Sequence, residues 1–277
     1  MEHSDGIPSS PTSDILTEGV MQPEDTEGVM QPEDTEGVMQ PEDTEGVMQP
    51  EDTRFRFGTR TITARGGPAD HCHHNVLCLR LQQTFLDRVV QSLFGVLSGA
   101  IGPWLQSKFP EWFLPERIVL KSQKPNWEEE FDKELEAYHK LQPLQGTVIP
   151  RFYGMIQFND IRTLILSDIG GNCLATPEGA VLDKQDLRPL LEQAFTSLAD
   201  LGVYHDDIKL DNFHLVTDNG KDKIMVLDLE SVGFELSGED LSRVAKGTPN
   251  WLINQYDNHL ECMEYDGMIL PKRPLRT

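Results

Sequence analysis

The chain has 277 residues and 38% hydrophobic content, which is enough to bury a sizeable core. Residues 1–52 contain fifteen acids and no Lys or Arg, so they carry most of the net charge of −22 and leave about −7 for residues 53–277. No strongly basic face is expected, which argues against a nucleic-acid partner.

The first 53 residues are expected to form a disordered acidic tail. The unit TEGVMQPED occurs four times, starting at Thr17, Thr26, Thr35 and Thr44. Each copy offers only Val and Met as apolar groups, which is too little to offset the entropy of an ordered chain. The repeats are interpreted either as a tandem duplication of little consequence or as a spacer or display array for a partner.

The four scattered cysteines and the polar start of the chain argue against secretion and a disulfide framework. The run from Leu93 to Leu105 is too short and too rich in glycine to cross a bilayer. We therefore expect an intracellular protein, cytoplasmic or nuclear, without membrane attachment. The HCHH segment (71–74) lacks the paired spacing of a closed zinc site and is interpreted as a solvated loop.

Residues 54–114 are expected to form an N-terminal extension that is partly helical. A four-residue apolar spacing predicts one amphipathic helix from Leu77 to Leu97. The apolar positions are Leu81, Phe85, Val89, Leu93 and Leu97.

A short apolar strand, RIVLK, ends at Lys121, and a helical pattern follows from Trp127 to Leu141. On that helix Glu134 lies close to the apolar stripe, whereas Glu136 lies on the opposite face. Glu134 is therefore expected to point inward, where it needs a cation, and Lys121 is the candidate.

The segment TLILSDIGG (163–171) predicts a second buried strand, and the apolar stripe of 187–202 predicts a helix. The sequence HDDIKLDN (205–212) follows directly. Two strands around an Asn-Gly turn come next and place Asp228 at the end of the second strand. Loops and strand ends of this kind can direct polar side chains to one point.

Residues 115–256 resemble the protein kinase-like superfamily in motifs that occur in the order of that family. IVLK resembles the lysine strand, Glu134 resembles its helical partner, and HDDIKLDN resembles the catalytic loop His-Arg-Asp-x-Lys-x-x-Asn. Asp228-Leu-Glu stands where Asp-Phe-Gly usually stands. The resemblance implies an α+β, protein kinase-like two-lobed fold over residues 115–277. Its N-lobe would run to about residue 166, and a shortened C-terminal lobe would begin at about residue 170.

The resemblance also implies that the chain uses ATP and Mg²⁺. Lys121 would hold the α- and β-phosphates, and Glu134 would hold Lys121. The adenine would meet a hinge made by the backbone of Ser167, Asp168 and Ile169, with the side chain of Leu166 lining the pocket.

For catalysis, the same resemblance assigns Asn212 and Asp228 as magnesium ligands, because Mg²⁺ prefers oxygen ligands. Asp207 would take the proton of the acceptor hydroxyl, and Lys209 would steady the γ-phosphate. These roles describe a phosphotransferase acting on Ser or Thr hydroxyls.

The class of substrate has conflicting signals. Lys209 and the segment KGTPNWLINQ (246–255), which resembles the end of an activation segment, favour a protein. Glu230, an acid two residues after Asp228, is typical of small-molecule kinases of the aminoglycoside or choline type.

Three departures from the family pattern leave a pseudokinase-like binding module as an alternative. The nearest glycine-rich candidate is the incomplete LSGAIG (97–102), and Asp206 replaces the usual arginine of the catalytic loop. Only 49 residues follow Asp228. A partner protein that completes the shortened lobe is one expectation from this length.

Overall fold

The structure is a computed structural model that describes residues 51–69, 73–96, 104, 108–268 and 271–277. The described residues fall in one compact unit, Val47–Thr277. The predictions for residues 1–50, for half of the HCHH segment and for LSGAIG (97–102) lie outside the described residues. The predicted tail ends too late, because residues 51–53 already belong to the first strand.

The described chain contains both strands and helices. In chain order they are β1 (Glu51–Phe57), β2 (Arg60–Pro68), β3 (Val76–Leu81), α1 (Phe85–Val96), β4 (Arg117–Ser122), α2 (Glu128–Lys140), β5 (Phe152–Phe158), β6 (Ile161–Ser167), β7 (Asn172–Cys173), α3 (Lys184–Asp200), β8 (Tyr204–His205), β9 (Phe213–Asp218), β10 (Lys221–Val226), β11 (Val232–Gly233) and α4 (Gly238–Tyr265).

Six strands form a mixed-length antiparallel sheet in the order β1-β2-β3-β4-β6-β5. The lysine strand β4 is central and pairs with β3 on one side and β6 on the other. Its side chains alternate between the two faces of the sheet. Ile118 and Leu120 are fully buried in a core within the sheet, whereas Val119 and Lys121 face α2.

The helix predicted from Leu77 to Leu97 is wrong in its first part. Residues Val76–Leu81 form β3, and α1 begins only at Phe85. The same segment also alternates with a period of two, and its burial follows that pattern: Leu79 is buried, while Arg80 is exposed. Pairing with β2 and β4 decides for the strand because it satisfies backbone groups on both sides.

The predicted extension of residues 54–114 is also corrected. β3 pairs with β4 from Arg80↔Arg117 to Val76↔Lys121. Strands β1 to β3 therefore belong to the same sheet as the lysine strand rather than to a separate extension. Sequence periodicity could not reveal this, because it does not identify the partner of a strand.

Two hydrophobic cores organise the described chain. The smaller core packs on one face of the sheet. The larger core joins the other face of the sheet to α2, α3, α4 and the β9–β10 hairpin. Leu166 and Phe131 share this larger core with Leu191 and Tyr256. The packing therefore does not confirm a division into lobes between residues 166 and 170, because one core crosses that boundary.

The segment KGTPNWLINQ (246–255) lies inside α4 and is not an activation segment. The helix begins after Ser237, whose Oγ accepts a hydrogen bond of 3.2 Å from the Asp240 backbone N–H. A buried apolar stripe packs α4 against α3, and this packing outweighs the helical hydrogen bond that Pro249 cannot make. Only residues 229–237 separate Asp228 from α4.

The β9–β10 hairpin confirms the predicted Asn-Gly turn. Asn219 and Gly220 have φ angles of 50° and 82°, as a two-residue turn between twisted strands requires. The segment 271–277 packs against this hairpin: Arg273 pairs with Asp222 at 2.6 Å. None of the helices in the described part of the chain has the length and apolar character needed to cross a membrane.

Candidate active site

Lys121 is the centre of a buried ion cluster. Its Nζ lies 2.8 Å from Glu134 Oε2, 2.7 Å from Asp228 Oδ1 and 3.0 Å from Glu230 Oε1. Glu134 is completely buried on the inner face of α2, whereas Glu136 is exposed, as the helical stripe predicted. The structure thus brings together Lys121, Glu134 and Asp228, three residues that are far apart in sequence.

Electrostatics keeps the lysine charged. Burial alone would lower the pKa of Lys121, but the carboxylates of Glu134, Asp228 and Glu230 outweigh burial and raise the pKa well above its usual range. Burial raises the pKa of Glu134, and Lys121 offsets part of that shift. Burial also opposes ionisation of Asp228, but Lys121 holds its pKa below the usual value.

Asp207, Lys209 and Asn212 form a second group on the loop between β8 and β9. Lys209 Nζ lies 2.9 Å from Asp207 Oδ1. Asn212 Nδ2 donates to the Asp207 backbone carbonyl at 2.8 Å and to Asp207 Oδ2 at 3.1 Å. These bonds fix the orientation of the Asp207 carboxylate and turn the amide oxygen of Asn212 away from it.

Backbone hydrogen bonds join this loop to the Asp228 segment. The Leu227 N–H donates to the Asn212 carbonyl at 2.8 Å, and the Asp206 N–H donates to the Ser231 carbonyl at 2.8 Å. Because each bond links one predicted site segment to the other, the two groups are held side by side. Asp228 contributes to the elevated pKa of Lys209, after the larger effects of Asp207, which is consistent with this proximity.

His205, which precedes the two aspartates, is a buried residue that supports the backbone of the site. It is 2% exposed, and its Nε2 lies 3.1 Å from the Leu227 carbonyl. Burial lowers the pKa of His205, so the ring is neutral at pH 7. A neutral ring with one protonated nitrogen can donate to that carbonyl and fix the backbone just before Asp228.

Asp228 adopts a backbone conformation that side chains other than glycine rarely take. Its φ of 53° and ψ of 67° lie in the left-handed region. Such strain persists only where surrounding contacts enforce it, and it occurs often at functional sites. Here the ion pair with Lys121 and the bond at Leu227 supply those contacts.

The predicted hinge lies at the end of β6, which includes Leu166 and Ser167. Lys121 pairs with Leu164 in the sheet, so Leu166 lies two residues farther along the same face, at about 7 Å. Leu166 is buried, and Ile169 is half-buried. The segment therefore borders the same face of the sheet as Lys121.

Two of the hinge groups are already bonded within the protein. The Ser167 N–H donates to the Arg151 carbonyl at 2.8 Å, so this amide is not available to a ligand. The Asp168 carboxylate is held by Arg117 at 2.7 Å. Strand order alone could not show these bonds, because Arg151 lies in the loop before β5.

Glu230 and Lys124 complete the cluster, and sequence reasoning missed their ionic contacts. Glu230 Oε2 lies 2.7 Å from Lys124 Nζ, while its other oxygen contacts Lys121. Lys124 also lies over the ring of Trp127, at 4.5 Å from its centroid. The one available signal was a second lysine three residues after Lys121, but nothing in its spacing distinguished it from a surface lysine.

Three carboxylates of the cluster could serve as ligands of a divalent cation, and the Lys121 ammonium contacts all three. Carboxylate oxygens of Glu134, Asp228 and Glu230 lie within 4.8 Å of one another. Glu134 Oε1 is buried without a hydrogen-bond partner in the described part of the chain. Carboxylate and amide oxygens suit Mg²⁺, and Asp228, with 37% side-chain exposure, is accessible from solvent.

Asn75 and Val76 lie beside the end of β4 that carries Lys121. Asn75 Nδ2 donates to the Ser122 carbonyl at 3.0 Å, and Val76 pairs with Lys121. Gly66 permits close packing of β2 and β3, because a Cβ there would lie 2.0 Å from the Cys78 carbonyl oxygen. Sequence reasoning sought a glycine-rich turn at 97–102 and overlooked Gly66-Gly67.

No protein-family model and no curated protein matches the chain. One of the solved structures that match is the kinase PK-1 of Cydia pomonella granulovirus, with 22% identity and a TM-score of 0.34. The match covers 43% of this chain and 44% of that one, so this chain aligns with less than half of the viral kinase.

Proposed function

We propose that the chain is an ATP- and magnesium-dependent phosphotransferase with a kinase-like site. The observation that carries the proposal is Lys121, which is buried against Glu134 and Asp228 beside the Asp207–Asn212 loop. A binding module has no physical need to bury a lysine among three carboxylates next to an oriented aspartate.

Lys121 is the group proposed to bind the nucleotide phosphates. Glu134 holds the lysine from α2, so its ammonium is positioned before a ligand arrives. Lys124, 29% exposed on the same side of the cluster, supplies a second positive charge within reach of phosphate oxygens. Leu166 and the adjoining residues of the β6 end provide the apolar border proposed for the adenine.

Asp228 and Asn212 are the proposed magnesium ligands, with Glu230 as a further carboxylate. When bound, Mg²⁺ would neutralise charge on the phosphates and orient them. The Asn212 amide oxygen is directed away from Asp207, because both hydrogen bonds to Asp207 come from the Asn212 Nδ2 group. Asp228 can exchange its bond to Lys121 for the cation because its carboxylate is partly exposed.

The proposed reaction moves the γ-phosphoryl group of ATP to an alcohol oxygen. The new P–O bond forms as the bond to the β-phosphate oxygen breaks, and ADP leaves. Asp207 accepts the hydroxyl proton, and Lys209 balances charge on the transferred group. The contacts of Asp207 with Lys209 and Asn212 hold its carboxylate for this role.

The acceptor is proposed to be a hydroxyl of a protein Ser or Thr, or of a small molecule. Lys209 favours a protein, but the second signal for a protein substrate is lost because 246–255 is helical. Glu230 is retained in the cluster and favours a small molecule. Helix α4 therefore shifts the balance toward a small acceptor.

Nucleotide binding provides the direct test. ATP with MgCl₂ is expected to raise the thermal unfolding temperature of the full chain. A ligand present at 100 times its Kd stabilises the folded state by about 2.7 kcal/mol. Asp228→Ala should abolish this gain, and Asp207→Asn should retain it while losing phosphoryl transfer.

Asp218→Ala is the matched control, because Asp218 is an exposed acid on the neighbouring hairpin. It should leave the ATP effect unchanged. No effect of ATP on the wild type at several millimolar would contradict the proposal and support a binding module instead.

A further inference from the structure

The carboxylate of Glu230 lies between two lysines. Its Oε1 lies 3.0 Å from Lys121 Nζ, and its Oε2 lies 2.7 Å from Lys124 Nζ. Each oxygen therefore contacts its own ammonium group, and lysine ammonium groups also bind phosphate oxygens. A phosphate group presents two oxygens on one central atom, as a carboxylate does, so the same pair of lysines can hold it.

Neither lysine depends on Glu230 alone for its position. Lys121 is held by Glu134 of α2 at 2.8 Å. The Lys124 ammonium lies over the Trp127 ring, at 4.5 Å from its centroid, and the Trp127 N–H donates to the Lys124 carbonyl at 3.2 Å. The two positive charges are therefore kept near each other by contacts that would remain after Glu230 moved away.

Glu230 also leaves the cluster with an excess of negative charge. When all five groups are ionised, three carboxylates (Glu134, Asp228 and Glu230) face two ammonium groups, so one negative charge is uncompensated. That charge opposes the approach of a phosphate to the lysines. Without the Glu230 carboxylate, two acids would face two lysines and the opposition would be removed.

Of the three carboxylates, Glu230 is the one whose contacts join both lysines within the described part of the chain. It is buried, as is Lys121, whereas Lys124 and Asp228 are partly exposed. An anion from solvent can therefore reach the lysines from the side of Lys124 and Asp228. To contact both ammonium groups, it must take the place of the Glu230 carboxylate.

We propose that Lys121 and Lys124 together form one site for a phosphate group of the nucleotide, the two-lysine site, and that Glu230 occupies it until the phosphate displaces its carboxylate. Lys124 then binds the same phosphate as Lys121, and Glu230 is a positioning residue that holds both ammonium groups beforehand. This inference rests on the proposed phosphotransferase function and names residues that determine its affinity for the nucleotide. The displaced carboxylate becomes available as the further magnesium ligand proposed above.

Pyrophosphate in the presence of EDTA is the probe, because it tests the two lysines without a metal ion. In isothermal titration of the full chain, Glu230→Gln is expected to bind pyrophosphate about tenfold more tightly than the wild type, because the variant lacks the excess charge. Adding Lys124→Gln to this variant should reverse the gain. Glu230→Asp retains the charge and should bind pyrophosphate as weakly as the wild type does.

Two matched controls separate the two-lysine site from general charge effects. Glu136→Gln removes an exposed acid from the outer face of α2, and Lys133→Gln removes an exposed lysine from the same helix. Neither change should alter pyrophosphate binding. Circular dichroism of each variant verifies that the fold is retained.

Lys124→Gln in the otherwise unchanged chain is a second test, which does not depend on the folding of any Glu230 variant. Lys124 is partly exposed, so its substitution should be tolerated. Binding of ATP with MgCl₂ should weaken about tenfold in this variant, because one of the two phosphate contacts is lost.

Equal or weaker binding of pyrophosphate by Glu230→Gln would overturn the inference, and so would a gain that survives the loss of Lys124. The thermal test with ATP and MgCl₂ decides the proposed function separately. ATP binding that is indifferent to Glu230 and Lys124 would refute only the two-lysine site. Tighter pyrophosphate binding in Glu230→Gln, together with no effect of ATP on the wild type, would retain the site and refute the phosphotransferase.

Discussion

The ammonium group of Lys121 compensates the charge of several carboxylates whose burial would be unfavourable without a cation. Three carboxylates face this lysine in a largely buried cluster, and each would be costly without a cation. Lys124 compensates part of the charge on Glu230, and within the described part of the chain it makes no ion pair with Glu134. The stability of the cluster therefore depends mainly on one ammonium group.

Lys121→Met is expected to destabilise the protein by about 3 kcal/mol at pH 7, because it leaves buried carboxylates without their cation. The pKa of Glu134 is already raised by burial and should rise further. An acid with a raised folded-state pKa favours the folded state at low pH, so the deficit should grow as the pH rises above about 4.5.

Urea unfolding of the wild type and the variant between pH 5 and pH 8 measures this dependence. Lys184→Met is the control, because Lys184 and its partner Asp257 are both exposed. Its effect should stay below about 1 kcal/mol. A pH-independent loss in Lys121→Met would contradict the electrostatic account.

At the scale of elements, helix α4 contains a stretch whose local sequence suggests a different structure. The Gly-Thr-Pro stretch resembles the end of an activation segment, yet Leu241, Leu252 and Tyr256 are buried along one helical stripe. Tyr256 donates to the Leu182 carbonyl at 2.8 Å, which ties the helix to the chain before α3. These packing contacts determine the conformation, because the local motif has little conformational preference of its own.

Substitution by alanine should have opposite effects at Gly247, within this helix, and at Gly220, in the β9–β10 turn. Gly247→Ala should stabilise the protein by about 0.5–1 kcal/mol, because alanine favours a helix interior and meets no neighbour within 4 Å. Gly220→Ala should destabilise it by about 1 kcal/mol, because its φ is 82°. Denaturant unfolding of both variants tests the pair, and destabilisation by Gly247→Ala would contradict a helix at this position.

At the scale of the whole molecule, the segment 271–277 ties the hairpin to the rest of the described chain. Arg273 Nη1 and Nη2 contact the two oxygens of Asp222 at 2.6 and 2.9 Å, and the Arg273 N–H donates to the Val181 carbonyl at 2.9 Å. The Arg276 N–H adds a bond of 2.8 Å to Asp222. Because Asp228 follows this hairpin, the segment helps to fix the strand that leads to the site.

Asp222→Asn is expected to reduce the free energy of unfolding by about 2 kcal/mol at pH 7. This is less than for a fully enclosed pair, because the Arg273 side chain is 23% exposed. Burial would raise the pKa of Asp222, but hydrogen bonds from Arg273, Arg276 and Thr217 lower it from 3.8 to about 2. A lowered folded-state pKa stabilises the protein above about pH 4, and this contribution is lost as the pH falls toward 2.

The difference between wild type and variant in urea unfolding should therefore be smaller at pH 3 than at pH 7. Asp218→Asn, on the same hairpin but exposed, should show little difference at either pH. A constant difference for Asp222→Asn would show that shape, not charge, determines its contribution.

Local patterns in the sequence predicted several elements of the fold and part of the candidate site. The periodicity of α2 placed Glu134 inward, and the Asn-Gly turn placed the β9–β10 hairpin, because each depends on residues within about one helical or turn repeat. Residues 77–81 were wrongly predicted to be helical because periods of two and four coincide in a short leucine-rich segment.

The sequence by itself determined which residue types are available for phosphoryl-transfer chemistry and where local segments turn. Only the tertiary structure decided that β1 to β3 extend the lysine sheet, that 246–255 is helical, and that Glu230 joins Lys121 to Lys124. Each of these depends on contacts between segments distant along the chain. Such contacts are selected by the burial of shared surfaces and by charge pairing, and no local pattern records them.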